Sequence, residues 1–360
     1  MSASRRGSLK AALLGLSHPH SAPHLATLQN LPEVGEIVAW DGQYEAKRHG
    51  ALLANRKKLT LCTDDLAAVL RRGDIDFAIV CVPTDDAAAL TCRVLKAGIH
   101  VMAEKPVGLN PGEIRRVMAA ARKAKVQASV LYCNRWLPAI REARRLVRGG
   151  AIGPLLTAEA RMLTTQVRFR EPRSWLFSQR RAGGGILTWL GCHFFDVLQY
   201  VSGEPIVAVS AQLGTRSGEK IDVEDVAAVA FRLRSGAVGT LQAGYVLAFS
   251  GGGYLNGAGN DMSVGFTGRR GRVTWAARPL LRIESPVKRG SPVRERTFPA
   301  GTSTSYGGKW GEGFLRQFIA SFQKGAEPPA GLEAALRTAL ILEAVHKSAE
   351  TGREVAVRLK

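Results

Sequence analysis

Four short, nearly continuous apolar runs mark the first third of the chain: Leu9 to Leu16, Glu36 to Trp40, Phe77 to Val82 and His100 to Ala103. Strands buried on both faces of a sheet have this pattern, because neither face can carry polar side chains. Between them, apolar positions recur at helical spacing in Pro23 to Asn30, Thr63 to Arg72, Asp85 to Ala97 and Pro111 to Lys125. Asp64 and Asn110 stand where N-caps belong, and Gly98 where a helix stops. Strands alternating with helices, joined by right-handed crossovers, predict an α/β domain with a doubly wound parallel sheet, the Rossmann arrangement, over residues 1–130.

The pattern then changes. Glu142 to Arg148 reads as a helix, but Leu155 to Met162, Ile206 to Leu213, Ala227 to Leu233, Val238 to Tyr245, Met262 to Thr267 and Arg272 to Trp275 read as successive strands. Strands without intervening helices predict an α+β domain with a large, mostly antiparallel sheet over residues 131–360. The glycine-rich stretch Phe249 to Asn260 reads as a mobile loop. Leu332 to Thr351, stopped by Gly352, reads as a long amphipathic helix packing back on the body.

Composition narrows the class. With 360 residues, 46% hydrophobic and 22% charged, the chain is long enough for two globular domains, and disordered and fibrous classes are excluded. No apolar run approaches the roughly 20 residues that cross a bilayer, so no membrane partner is expected. Ser4-Arg5-Arg6 resembles a twin-arginine export signal, but the apolar stretch after Lys10 is short and reads instead as the first strand. Five cysteines, Cys62, Cys81, Cys92, Cys133 and Cys192, are an odd number without paired metal-ligand spacing. They predict a reducing, cytoplasmic setting and no metal site. The formal charge of +20 suits nucleic acid, anionic lipid or an acidic substrate, yet the basic residues are dispersed and follow no nucleic-acid-binding motif. A generally basic surface is expected, without a specific nucleic-acid partner.

Candidate chemistry starts at the first strand-to-helix turn. Gly15-Leu16-Ser17-His18-Pro19-His20 stands where a Rossmann phosphate loop belongs, with only the first fingerprint glycine present. Ser17 is placed to donate to phosphate, and His18 or His20 to lie over a pyrophosphate or reach toward a nicotinamide. Asp41 ends the second strand. Either it accepts hydrogen bonds from ribose hydroxyls and repels a 2′-phosphate, favouring NAD over NADP, or it is a turn residue before Gly42. Val82, Pro83 and Thr84 are expected to line the crevice at the carboxyl edge of the sheet. Glu104-Lys105-Pro106 closes the next strand at the same edge, where a partly buried lysine with a lowered pKa can hydrogen-bond a reacting hydroxyl.

Ala97 to Pro106, Tyr132-Cys133-Asn134-Arg135-Trp136-Leu137-Pro138, Gly150-Ala151-Ile152-Gly153, Gly183 to Leu187 with Gly191-Cys192-His193-Phe194-Phe195-Asp196, and Glu343 to Val355 occur in one order. Together they resemble the Gfo/Idh/MocA family, the glucose-fructose oxidoreductase and inositol dehydrogenase group, over almost the full length. The resemblance implies an NAD-dependent oxidoreductase acting on a secondary alcohol of a sugar, cyclitol or derivative, working as a homodimer or homotetramer through the second domain's sheet. It also implies that Lys105 contacts the substrate hydroxyl and nicotinamide ribose, and that His193 is the acid/base residue. Asn134, Arg135 and Trp189 join Lys105 and His193 as expected substrate contacts.

Trp189 stands four residues before His193, where many family members carry aspartate. Helical spacing would place it on the histidine's face as an aromatic wall for a sugar, or equally in the packing. Asp196, one turn beyond, is expected either to orient the imidazole or to cap local structure. Arg168, Arg170 and Arg173, near Trp175, are surface residues or anion contacts. Two other functions stay open: tightly held NAD oxidising a sugar transiently during elimination or glycosidic cleavage, and a non-catalytic binding protein.

Overall fold

The computed structural model describes residues 7–43, 45–248, 260–276, 280–287, 290–298 and 308–359. Two expectations, the twin-arginine residues Ser4 to Arg6 and almost all of the glycine-rich loop from Phe249, lie outside the described residues or at their edge. The chain divides into two compact units, Met1–Cys133 with Gly301–Ala335, and Asn134–Ala300 with Leu336–Lys360. This differs from a single division after residue 130, because a later segment returns to the first unit.

The first unit holds a six-stranded parallel sheet: β1 (Leu9–Leu14), β2 (Val34–Trp40), β3 (Leu59–Thr63), β4 (Phe77–Val80), β5 (His100–Ala103) and β6 (Ala128–Val130). Their order, β3-β2-β1-β4-β5-β6, is that of a doubly wound dinucleotide fold. Five helices connect them: α1 (Ser21–Asn30), α2 (Ala46–Leu53), α3 (Leu66–Arg71), α4 (Thr84–Lys96) and α5 (Pro111–Ala124). Strands β1, β4 and β5 are almost wholly buried, which is why their sequences are continuous apolar runs. Edge strand β3 is half-exposed and went unpredicted; it ends at Thr63, inside the stretch expected to be helical.

The capping residue of α3 is Asp65, not Asp64: its carboxylate accepts the Ala68 N–H, whereas Asp64 uses its carbonyl to accept from Trp40 Nε1. Asn110 caps α5 as expected, accepting the Glu113 N–H with Pro111 in the first helical position.

The second unit holds β7 (Leu155–Thr165), β8 (Ile206–Gly214), β9 (Val226–Leu233), β10 (Val238–Leu247), β11 (Asn260–Gly268), β12 (Gly271–Ala276), β13 (Leu280–Glu284), β14 (Val293–Thr297) and β15 (Val355–Ala356). They form a nine-stranded sheet, antiparallel except where β10 runs parallel to β7. The alternating burial of β9 shows one covered and one open face. Helices α6 (Pro138–Arg148), α7 (Gln179–Ala182) and α8 (Cys192–Ser202) precede most of these strands. Near the C-terminus, α9 (Gly308–Lys324) belongs to the first unit, where Phe318 and Phe322 pack against Phe77 of β4 with ring centroids 6.1 and 6.0 Å away. Helix α10 (Leu332–Thr351) has the expected span, and its Ser348 Oγ accepts the Ala211 N–H of β8 in the second unit. No helix among the described residues is long and apolar enough to cross a membrane.

Candidate active site

In the first unit, backbone constraints fix the turn after β1. Gly15 has φ +112°, and an added Cβ would overlap the Cys81 carbonyl oxygen and come 2.9 Å from Val82 Cγ1. Only glycine allows the loop to lie this close to the end of β4. Its N–H donates to Trp40 O at 2.7 Å, and Ser21 Oγ donates to its carbonyl at 2.8 Å. Asp41 completes the clamp. Its Oδ2 accepts from the Leu16 and Ser17 amides at 2.7 and 3.0 Å, and Oδ1 from the Gln43 amide at 2.9 Å. Burial opposes the charge of Asp41, but these amides outweigh it and hold the carboxyl below its usual range.

Of the loop's other polar residues, Ser17 is exposed, whereas His18 and His20 are buried. Ser17 Oγ lies 3.2 Å from His49 Nε2. The buried His18 ring accepts the His20 N–H through Nδ1, which is also 3.3 Å from Cys81 Sγ. His20 Nδ1 and His24 Nε2 meet Glu104 Oε1 at 3.0 and 2.7 Å. The second oxygen of Glu104 accepts the Lys105 N–H at 3.0 Å. Burial lowers the His20 imidazole to about 4 against the attraction of Glu104, and pushes the Cys81 thiol well above its ordinary value. Burial also works against the Glu104 carboxylate, yet the two histidines hold it well below the usual range.

Lys105, at the end of β5 and 1% exposed, is one of the largest fully buried side chains, and its bond to Pro106 is cis. Val82 abuts Gly15, Pro83 is the N-cap of α4, and Thr84 is buried as its first residue. Helix α1 starts from His20 without a side-chain cap, leaving its positive dipole end as the natural seat for a phosphate.

In the second unit, His193 is buried on α8, directly after a π-helical turn, Leu187–Gly191. Hydrogen bonds in such a turn run from i to i+5, so the α-helical ladder is interrupted just before His193. Trp189 lies within this turn, four residues before His193. It is buried, with its ring set edge-on to Trp175 at 5.7 Å. Glu224 anchors the turn: its carboxylate accepts the Gly185 and Leu187 amides at 2.7 and 3.1 Å, and its carbonyl accepts the Ile186 amide at 3.0 Å. Sequence reasoning missed Glu224, since nothing local links it to a segment 39 residues away.

Asp196 does not hold the imidazole. Both of its oxygens take the Arg135 guanidinium, at 2.8 and 2.6 Å, and Arg135 also lies 4.9 Å from the Tyr200 ring centre. This bidentate pair gives Arg135 an intramolecular role, while Asn134 is half-buried in the same short helical turn. Arg170 bonds Thr164 and Thr165 and covers Tyr245, whereas Arg173 is exposed beside Glu171. Cys192 Sγ donates to the Trp189 carbonyl and, like the other four cysteines, forms no disulfide.

Residues 9–132 match the model of an oxidoreductase family with an NAD-binding Rossmann fold, and residues 140–274 match the GFO/IDH/MocA C-terminal domain. The chain is 27% identical over 204 residues to a levoglucosan dehydrogenase of Pseudarthrobacter phenanthrenivorans, covering 50% of this chain and 52% of that one. It therefore spans about half the length of this relative. An inositol 2-dehydrogenase of Rhizobium meliloti is 26% identical over 297 residues, 81% of this chain and 83% of its own. Among solved structures, an oxidoreductase domain protein from Kribbella flavida shares the fold with a TM-score of 0.85 and 23% identity, covering 98% of this chain and 99% of its own.

Proposed function

This chain belongs to the GFO/IDH/MocA oxidoreductase family, and on that premise we propose that it moves a hydride between NAD and a secondary alcohol of a sugar, cyclitol or derivative. The observation that carries the reading is Lys105, a buried lysine at the carboxyl end of a parallel strand, with its backbone tied to a carboxylate that two histidines hold. Such a lysine is poised to donate a hydrogen bond to a reacting hydroxyl and to stabilise negative charge developing on that oxygen. His193 is the group to accept the hydroxyl proton, since neutral imidazole is a suitable base near neutral pH.

The residues present fit the cofactor. Gly15 brings the loop backbone against β4, the uncapped start of α1 offers a phosphate seat, and the anionic Asp41 disfavours a 2′-phosphate, which supports NAD over NADP. Val82, Pro83 and Thr84 would flank it. When bound, the nicotinamide supplies the hydride acceptor or donor. The substrate class is supported by relatives that, by name, oxidise levoglucosan and inositol. A cytoplasmic homo-oligomer assembled through the open face of the nine-stranded sheet completes the reading.

A panel of pyranoses, anhydrosugars and cyclitols incubated with NAD should give reduced cofactor, read by absorbance. Lys105→Met should abolish turnover while retaining NADH binding. Failure to bind either nicotinamide dinucleotide would sink the proposal, and turnover unchanged in Lys105→Met would remove the lysine from it.

A further inference from the structure

We propose that His24, Cys81 and Glu104 form a site for a zinc-type divalent cation beneath the phosphate loop. One ligand atom from each, the imidazole nitrogen, the thiol sulfur and a carboxylate oxygen, lies within 4.8 Å of the other two, and all three residues are buried. Zinc takes nitrogen at about 2.0–2.1 Å, sulfur at about 2.3 Å and oxygen at about 2.0–2.2 Å, so adjacent ligands around it stand roughly 3–4 Å apart. His24 Nε2 and Glu104 Oε1, now 2.7 Å apart across a shared proton, need to separate by less than about 1 Å to hold a cation in its place.

The donor set selects the metal. Sulfur with nitrogen and one carboxylate suits zinc or cobalt and does not suit magnesium or calcium, which demand oxygen. Thiolate and carboxylate together balance a divalent charge, so the loaded site buries no net charge of its own. An outer shell is already in place. Ser21 Oγ, whose proton goes to the Gly15 carbonyl, lies 3.7 Å from Cys81 Sγ, and His20 Nδ1 contacts Glu104 Oε1. His18 Nδ1, which accepts the His20 N–H, also lies 3.3 Å from Cys81 Sγ. The ligands come from α1, from the residue just beyond β4 and from the residue just beyond β5, so a bound cation would join all three below the loop.

The test uses the full chain, stripped with a chelator and titrated with Co2+ alone. About one equivalent should bind with a thiolate-to-cobalt charge-transfer band in the near ultraviolet. Cys81→Ser should lose the band and bind at least about tenfold more weakly, whereas Cys192→Ser should keep both. Zn2+ should raise the melting temperature of the parent and of Cys192→Ser, but not of His24→Gln, which serves as the second variant should Cys81→Ser fail to fold. No charge-transfer band, a band that survives in Cys81→Ser, or the same zinc stabilisation in His24→Gln overturns the proposal.

Discussion

Replacing Arg135 by methionine keeps the length and apolar stem of the side chain but removes its charge. The structure then predicts a large loss of stability and little direct effect on substrate affinity. Asp196 is 2% exposed and its two oxygens are bonded to the guanidinium at 2.8 and 2.6 Å, while Arg135 is itself only 13% exposed. Breaking a buried pair by removing one partner costs about 3–5 kcal/mol, because the other charge is left without compensation. Loss of the contact with Tyr200 adds about 0.5–1 kcal/mol. At about 1.4 kcal/mol per tenfold change, the folded-to-unfolded ratio of the second unit falls by more than two powers of ten.

Asp196→Leu alone should be similarly harmful, but Arg135→Met with Asp196→Leu should recover most of the loss, because an apolar pair of similar volume replaces a buried ion pair at little net cost. Urea unfolding followed by tryptophan fluorescence, run as a double-mutant cycle, gives the coupling directly. The reasoning fails if Arg135→Met unfolds at nearly the parent urea concentration and instead raises KM. That result would assign the arginine to the substrate.

Three further outcomes follow from the described contacts. Gly15→Ala forces a left-handed position and a collision with the Cys81 carbonyl; it should cost about 1–3 kcal/mol and weaken NADH binding at least about tenfold, measured by fluorescence titration. Glu224→Gln replaces one of two buried acceptors by a donor, leaving a helical amide unsatisfied; about 1–3 kcal/mol of stability and a drop in kcat are expected, with NADH affinity unchanged. Acid should destabilise the first unit. Folded His20 titrates at about 4 and His18 is also lowered, both by burial, so between pH 6.5 and about 4 the unfolded chain binds more protons. Stability is therefore full above pH 6.5 and declines as the pH falls toward 4; urea midpoints that hold or rise as the pH is lowered through that window would refute the burial account.

The parts of the fold legible in the sequence are those whose physics is local. Strands β1, β4 and β5 are buried on both faces, so each is a visible apolar run, and Asn110-Pro111 announces α5 by its own capping chemistry. Strand β14, Val-Arg-Glu-Arg-Thr, is exposed along its length and carries no apolar period at all. It exists because β13 offers an edge.

The site divides in the same way. Lys105 and His193 stand out in their motifs, and both are buried. The inward turn of His18 and His20 was not legible, because their partners, Cys81 and Glu104, are 63 and 84 residues away. Four-residue spacing between His20 and His24 was a usable sign that both would reach one group. The π turn before His193 had no such sign, since Glu224 fixes it from another strand connection.

The return of Gly301–Ala335 to the first unit also orders events during synthesis. Domains generally acquire structure as they leave the ribosome, N-terminal ones first. Here the sheet of β1 to β6 is made well before the helix that supplies Phe318 and Phe322 to Phe77. Until that helix emerges, Phe77 lacks the two rings that pack on it in the folded unit.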